Sequence, residues 1–409
     1  MDRTILHCDC NSFYASVETL LDPSLADGPS AVCGDPESRH GIILAKNEQA
    51  KKYGVKTAET IWQAKRKCPE LRLVAPHREE YVKFSRRCNE LYLQYTDLVD
   101  PFGIDESFLD VTGSLHLFGT GAEIADELRR RMRQEIGLTI SVGVSFNRAF
   151  AKLGSDYKKP DGTTVFSREN YRETVWPLPA DTLLYVGKRA MDRLERLGVR
   201  TIGDLAACEP ALMHSVFGKM GDTLLRYARG EDDERVHSFY EEREVKSVGN
   251  SMTFAHNLVG EDECRMGLTA LCDNVGRRLR GRGLMCQTVQ LIIRDPDFKN
   301  RSRQTTLERP TNSTRALIEA SMALLRANWT QGRPVRLLSV TATGLLPETQ
   351  ACEQLSLFDA AGAAASREKQ HQLDQTVDEL RRRFGDRSVV FAHSVRKTEG
   401  KNEKTKKMP

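Results

Sequence analysis

The chain has 409 residues, of which 39% are hydrophobic and 29% charged, and this size and balance predict two to four domains with well-packed cores. No apolar run approaches the ~18 residues of a membrane span, and Ile5-Leu6 is too short for a signal-peptide core, so membrane and secreted proteins are excluded and a cytoplasmic location is expected. The net charge is only +4, and none of the ten cysteines forms a Cys-x-x-Cys pair, so we expect reduced thiols rather than disulfides or a zinc site.

The first half of the chain predicts strands and helices that alternate around a central sheet. Residues 4–9 form an apolar run typical of a buried strand, and a helix follows for which Asn11 or Ser12 is the expected N-cap. Further strands are predicted at 30–33, 41–44, 71–74, 98–104, 107–112 and 139–144, and further helices near 46–53, 60–67, 78–95, 121–135 and 147–156. This alternation indicates an α+β or α/β core.

The second half changes character twice. From about 175 to 235 the pattern is helical, with tight glycine turns. A second, smaller α/β unit follows, with strands at 288–294 and 335–341 and helices at 264–281 and 311–328. The small residues of 347–366 predict a linker, an amphipathic helix is expected at 367–385, and the basic end from residue 396 predicts disorder.

Two acidic stretches stand at the ends of predicted strands. Asp9 lies inside an apolar run, and Asp105 with Glu106 stands at a hairpin tip after Gly103. Buried carboxylates need a partner or a metal, and their oxygens suit Mg²⁺. Neighbouring residues of a regular strand face opposite sides of the sheet, so Asp105 and Glu106 cannot both face Asp9 from a regular strand. A turn or bulge after Gly103 is needed to turn one of the two side chains toward Asp9. The pattern predicts a two-metal site for phosphoryl transfer; ordinary surface acids of a hairpin are the alternative for Asp105 and Glu106.

At these residues the chain resembles the Y-family, or translesion, DNA polymerases, above all the DinB-type (polymerase IV) branch. Four segments carry the resemblance in the same order: DCNSFYASVE (9–18), IDESFLD (104–110), SVGVSFN with AKLGSD (141–156) and KKPDG (158–162). The likeness covers nearly everything from residue 4 to about 346.

The resemblance implies an α+β multidomain fold shaped as a right hand. Its parts would be a ferredoxin-like palm (1–10 and 75–166), small fingers (11–74), a helical thumb with helix-hairpin-helix-like turns (167–236) and an α/β little finger that binds DNA (242–346). Residues 347–409 would hold a linker, a clamp-binding peptide, a helix and a basic tail.

The resemblance also implies a site and a reaction. Asp9, Asp105, Glu106 and the main-chain carbonyl of Cys10 would hold two Mg²⁺ ions, with Glu106 as the catalytic residue. A primer 3′-hydroxyl would attack the α-phosphate of a deoxynucleoside triphosphate and release pyrophosphate, in template-directed synthesis of low fidelity and low processivity. Primer-template DNA, deoxynucleoside triphosphates and the replication sliding clamp are the implied partners of a monomeric enzyme.

Three residues are implied to contact the nucleotide. Tyr14 matches the steric gate, because a planar ring against C2′ of the sugar leaves no room for a 2′-hydroxyl; an ordinary core position is the alternative. Lys159 matches a lysine that reaches the phosphates, and Lys51 stands where the DinB branch usually has Arg, which is not equivalent at a bidentate site. Glu48 replaces a usual Tyr and Asn11 a frequent acid, and these departures lean toward the UmuC-type branch.

Two regions are implied to bind DNA. The turn before Gly187 and Lys188 resembles a helix-hairpin-helix, whose helix N-terminus binds phosphate, and plain packing between helices is the alternative. From Arg277 to Arg336 there are thirteen Lys/Arg against four Asp/Glu, which indicates phosphate contacts or a solvated charged face. The candidate contacts in this stretch are Arg294, Lys299, Arg301 and Arg303.

The segment QLSLF at 354–358 matches the sliding-clamp peptide of bacterial polymerases. Gln354 would hydrogen-bond at the rim of a groove, while Leu355, Leu357 and Phe358 would supply the apolar anchor. The alternative is an apolar patch that folds back on the little finger, and 51 residues follow Phe358.

Two other functions compete with the polymerase. A catalytically silent, clamp- and DNA-binding accessory protein is disfavoured by the three carboxylates. A nucleotide cyclase with a similar acidic palm is disfavoured by the thumb-like helices, the basic stretch and the clamp peptide.

Overall fold

A computed structural model describes residues 2–36, 41–330, 332–350, 361–386 and 388–390. The chain forms two compact units, Met1–Glu242 and Arg243–Pro409. Among the helices of the described ranges, none is long and apolar enough to cross a membrane.

The first segment of the amino-terminal unit builds a small three-stranded sheet. Its elements are β1 (Ile5–Cys10), α1 (Phe13–Leu21), β2 (Ser30–Cys33), β3 (Ile43–Lys46), α2 (Glu48–Lys52), α3 (Ile61–Lys67) and β4 (Arg72–Val74). The strand order of this sheet is β3-β2-β4, and β1 belongs to a separate, five-stranded sheet. A capping box between Thr60 and Gln63 starts α3.

The next segment completes a five-stranded sheet around β1. Its elements are α4 (Arg78–Tyr92), β5 (Val99–Pro101), β6 (Glu106–Asp110), α5 (Leu115–Phe118), α6 (Gly121–Arg131), β7 (Ile140–Ser145), α7 (Arg148–Tyr157) and β8 (Thr163–Phe166). The order is β5-β6-β1-β7-β8, antiparallel except for β7 and β8.

The two faces of β1 have different neighbours, because successive side chains of a strand point to opposite sides. Leu6, Cys8 and Cys10 enter the main core with the apolar side chains of α4 and α6. Ile5 and His7 face the opposite way and contact α7, through Ala151 and Ser155. Asp9 shares this second face by the same alternation.

The rest of the amino-terminal unit is helical, as predicted. It contains α8 (Tyr171–Thr174), α9 (Lys188–Arg196), α10 (Ile202–Ala206), α11 (Pro210–Phe217) and α12 (Lys219–Ala228). These helices pack around their own core, which includes Leu194, Ile202, Leu205 and Leu224.

The carboxy-terminal unit is a four-stranded antiparallel sheet with helices on one face. Its elements are β9 (Ser247–Leu258), α13 (Glu261–Arg280), β10 (Leu284–Arg294), β11 (Asn300–Thr311), α14 (Thr314–Asn328), β12 (Val335–Pro347) and α15 (Ala361–Phe384). The strand order is β11-β10-β12-β9. The core holds alternate residues of β10 and β12, such as Leu291 and Val340, against α13 and α14.

Three local features differ from what the sequence predicts. Ser12, one of the two expected residues, is the N-cap of α1, but it has φ 49° and its side chain makes no capping hydrogen bond. The Asn11 side chain instead donates to Ser141 Oγ at 2.9 Å. The edge strands β9 and β11 were not predicted, because their largely exposed residues give little apolar signal. Helix α15 starts at Ala361 rather than at 367, since alanine-rich sequence favours helix more than linker.

Candidate active site

The two strands that carry the acids pair directly. In the register of β1 with β6, Asp9 lies opposite Glu106, so their side chains share one face. Asp105 lies in the turn before β6, where the backbone N–H groups of Phe102 and Gly103 both donate to the Glu106 carbonyl at 3.0 and 3.1 Å. The Cys10 N–H donates to the Asp105 carbonyl at 2.9 Å. The required turn after Gly103 is therefore present, and it frees Asp105 from strand alternation.

Two lysines from α7 and the loop after it neutralise part of this acidic cluster. Lys152 Nζ lies 2.5 Å from Glu106 Oε2. Lys159 Nζ lies 2.8 Å from Asp9 Oδ2 and 2.7 Å from Asp156 Oδ1. Sequence reasoning missed Lys152, because its contact with Glu106 depends on how α7 packs against the sheet.

His7 is the other residue that sequence reasoning missed. It is fully buried, with Nε2 3.3 Å from Glu106 Oε2 and Nδ1 2.8 Å from Ser155 Oγ. The ligand atoms of His7, Asp9 and Glu106 lie within 4.8 Å of one another. His7 stands two residues before Asp9, and this period of two was the signal that it faces the site.

Burial and neighbouring charges set the protonation of the acids. Burial, with the negative charges of Asp9 and Glu106, raises the pKa of Asp105 to about 6. Burial also opposes ionisation of Glu106, but its contacts with His7 and Lys152 outweigh it and lower the pKa of Glu106 to about 2. Lys159 offsets part of this effect on Asp105 but does not cancel it. Asp105 is not one of the three residues whose ligand atoms lie within 4.8 Å of one another, but its carboxylate is a hard oxygen ligand of the kind that a divalent cation prefers.

Tyr14 lies in the first turn of α1, four residues after Cys10, at which β1 ends. Its ring stacks on Tyr81 of α4, with centroids 4.1 Å apart and planes at 12°. Tyr81 is fully buried, whereas Tyr14 is half-buried and packs against the main core. This geometry fits both a gate with one free face and an ordinary core tyrosine.

Lys51 has a partner within its own helix. Its Nζ lies 2.5 Å from Glu48 Oε1, and Ser12 Oγ donates to the same oxygen at 3.1 Å. Burial raises the pKa of Glu48, but Lys51 and Ser12 outweigh it and the net shift is downward. Glu48, which departs from the DinB pattern, therefore joins α1 to α2 and pairs with the predicted phosphate ligand.

The predicted hairpin of the thumb keeps an unusual backbone. Gly187 is the N-cap of α9 and Lys188 its first residue. Tyr185, two residues before Gly187, has φ 71°, a left-handed conformation that is unfavourable for a bulky residue and that glycine adopts readily. The turn thus keeps a glycine-like backbone despite the tyrosine.

The basic candidates of the carboxy-terminal unit do not share one face. On β10 and β11, Arg294 lies opposite Asn300, whereas Arg301 and Arg303 lie opposite the buried Ile293 and Leu291. Arg301 and Arg303 thus lie on the face that carries α13 and α14, at the edge of the sheet, and Arg294 lies on the open face.

Two arginines of the basic stretch pair with acids of the same unit. For Lys299, it is the backbone N–H that donates to Asp295 Oδ1, at 2.8 Å, and this contact does not involve the ammonium group. Arg280 pairs with Asp374 and Asp378 of α15, and Arg277 with Asp386. Part of the basic excess is therefore neutralised within the unit. The clamp-peptide residues Gln354, Leu355, Leu357 and Phe358 lie outside the described residues.

Comparisons with known proteins cover most of the chain. Residues 8–156 match the model of the impB/mucB/samB family, residues 245–357 its C-terminal domain, and residues 183–232 the DNA polymerase-iota thumb domain. DNA polymerase IV of Acetivibrio thermocellus is 45% identical over 389 residues, 95% of this chain and 96% of that protein. DNA polymerase IV 1 of Bacillus subtilis is 35% identical over 408 residues, 98% of this chain and 96% of that protein. A solved Y-family DNA polymerase chimera has the same fold, with a TM-score of 0.75 at 23% identity over 84% of this chain and 99% of that chain.

Proposed function

Since this chain belongs to the Y family of DNA polymerases and is a DNA-directed DNA polymerase of the translesion type, we propose that Asp9, Asp105 and Glu106 hold two Mg²⁺ ions at its active centre. The family uses DNA, nucleotide substrates and a divalent metal. The cyclase and the silent accessory protein are thereby set aside. The register that places Asp9 opposite Glu106, with Asp105 in the adjoining turn, carries the proposal.

Each residue of the centre has a distinct role in this proposal. The bound ions would activate the primer 3′-hydroxyl and neutralise the leaving pyrophosphate, with the Cys10 carbonyl as a further ligand. Lys152 and His7 hold one oxygen of Glu106 and so fix the direction of its carboxylate. Charged groups that are already in place beside the reacting atoms do not have to reorient while the reaction proceeds.

Lys159 and Lys51 are the proposed triphosphate contacts. In the free protein Lys159 is held by Asp9 and Asp156, and Lys51 by Glu48. A triphosphate presents more negative charge than a single carboxylate and therefore competes for both ammonium groups.

Tyr14 is the proposed steric gate. Its half-buried ring stacks on Tyr81. This support on one side would keep the ring from moving away to make room for a 2′-hydroxyl.

DNA contacts and the clamp tether complete the proposal. Gly187 and Lys188 would bind phosphate at the start of α9. Arg294, Lys299, Arg301 and Arg303 would bind duplex phosphates, with Arg294 acting on a different face from Arg301 and Arg303. Gln354, Leu355, Leu357 and Phe358 would anchor the monomeric enzyme to the sliding clamp in the cytoplasm.

Primer extension tests the active centre. We compare the native chain with Asp105→Asn, which keeps the size of the side chain and removes its charge, at increasing Mg²⁺. Asp181→Asn, at an exposed carboxylate of the thumb, is the matched control. We expect the control to extend primers normally and Asp105→Asn to lose at least ~100-fold in rate. Normal extension by Asp105→Asn would remove Asp105 from the centre.

A further inference from the structure

Glu18 is a buried carboxylate to which the proposed mechanism gives no role. It lies on α1 and only 2% of its surface is exposed. Its Oε1 accepts hydrogen bonds from the Tyr81 hydroxyl and from the His77 backbone N–H, the latter at 3.2 Å. His77 Nδ1 lies 2.9 Å from Oε2. All of these partners stand at the start of α4, so Glu18 fixes that helix end against α1.

The same contacts lead to the proposed gate. Glu18 follows Tyr14 by four residues, so both side chains lie on one face of α1. Both meet Tyr81 there, because Tyr14 stacks on its ring and Glu18 accepts from its hydroxyl. Two contacts at different points of one ring fix its position and its orientation.

Packing alone does not account for a carboxylate at this position. Only 2% of Glu18 is exposed, and an aliphatic side chain could fill a buried position without the cost of burying a charge. What the carboxylate adds is directed hydrogen bonding, which holds the ring in one orientation rather than in a range of packed positions.

We infer that Glu18 is a positioning residue for sugar discrimination: through Tyr81 it holds Tyr14 at the distance from the sugar that excludes a 2′-hydroxyl. The inference rests on the proposed role of Tyr14 as the gate. Because close-packed side chains respond to a change of even one methylene in volume, a small movement of the Tyr14 ring decides whether a 2′-hydroxyl fits. His77, whose side chain is 59% exposed, is the outer member of the network.

The experiment measures kcat/KM for one deoxynucleotide and for the matching ribonucleotide, opposite the same template base, in the full-length protein. Glu18→Ala removes the carboxylate, and Tyr81→Phe removes only the hydroxyl that it holds. We expect both variants to lower the deoxy-to-ribo ratio by about tenfold, mainly through a lower KM for the ribonucleotide. Glu18→Gln retains an oxygen acceptor for the Tyr81 hydroxyl, and we expect its ratio to stay near the native value.

Tyr92→Phe is the control, because it removes a buried hydroxyl about three turns further along α4. We expect it to leave the ratio unchanged. Tyr14→Ala is the reference variant, because it tests the role of Tyr14 as the gate separately from the role of Glu18. If Tyr14→Ala leaves the ratio unchanged, the proposed gate itself is wrong.

If Tyr14→Ala lowers the ratio while Tyr81→Phe and Glu18→Ala do not, the gate stands and the inference about Glu18 is overturned. Equal losses for both nucleotides, with a constant ratio, would show that Glu18 is only structural and would also overturn it. Thermal unfolding identifies variants that fail to fold, and should Glu18→Ala be one of them, the ratio of Tyr81→Phe decides.

Discussion

Asp105 is expected to destabilise the metal-free protein at neutral pH, so its removal should stabilise the fold. Its pKa is about 6 in the folded chain against 3.8 for the ordinary side chain. The folded state therefore binds the proton more tightly than the unfolded state does. The resulting cost is absent below about pH 4, grows between the two pKa values, and is fully present above about pH 6.

The size of the effect follows from the shift. Two pH units correspond to roughly 3 kcal/mol, and because Asp105 keeps some contact with water, we expect roughly 1.5–3 kcal/mol. Asp105→Asn should gain this free energy of unfolding at pH 8 and gain almost nothing near pH 4.

Urea unfolding of the EDTA-treated protein across pH 4–8 measures the difference. Adding Mg²⁺ should reverse the order of stability of the two proteins at pH 8. A ligand at 1,000 times its Kd stabilises the native chain by about 4.1 kcal/mol, and the variant lacks one of the proposed ligands. The reasoning is refuted if Asp105→Asn is no more stable than the native chain at pH 8, or if the gain is equally large at pH 4.

Three further changes test other parts of the proposal. Tyr14→Ala should raise ribonucleotide insertion by at least ~10-fold relative to deoxynucleotide insertion in single-turnover assays, and unchanged discrimination would contradict the gate. Glu48→Gln should free Lys51 and lower KM for the triphosphate by a factor of about 2–5, the scale of an exposed ion pair; a raised KM would mean that Glu48 supports nucleotide binding instead. Alanine at Leu357 and Phe358 should abolish stimulation by the sliding clamp and spare basal synthesis, whereas an equal loss of both activities would contradict the tether.

The fold followed from the sequence where apolar periodicity is strong. The strand at β1 and the helical region from about residue 175 were predicted, since an apolar run and glycine turns leave clear patterns. The edge strands β9 and β11 were missed because few of their residues are buried. A small number of side chains, such as Val248 and Leu258, attach them to the core, which is too weak a pattern to recognise in the sequence.

The candidate site divides in the same way. Asp9 was proposed because a charge inside an apolar run is anomalous, and Asp105 with Glu106 because two neighbouring acids stand at a hairpin tip. The contacts of Lys152 and His7 were missed because they depend on how α7 packs against β1, although the position of His7 two residues before Asp9 indicates the face that the two share. A helix-to-strand approach of this kind is fixed by tertiary packing rather than by local spacing. Glu18 was likewise hidden, since its partners stand some sixty residues away in the sequence.

The ion pairs of the free protein bear on how the proposed substrates bind. Lys159 is shared by Asp9 and Asp156, and Lys51 is paired with Glu48. If these lysines receive the triphosphate, each must first leave a carboxylate, so part of the new attraction is offset by the lost pair. The Lys51–Glu48 pair is exposed, and exposed pairs contribute only about 0–1 kcal/mol, so its exchange lowers nucleotide affinity modestly. The Lys159–Asp9 pair is more buried, so its exchange costs more. Before the ligands bind, the contacts of Lys159 with Asp9 and Asp156 also reduce the repulsion among the carboxylates of the site.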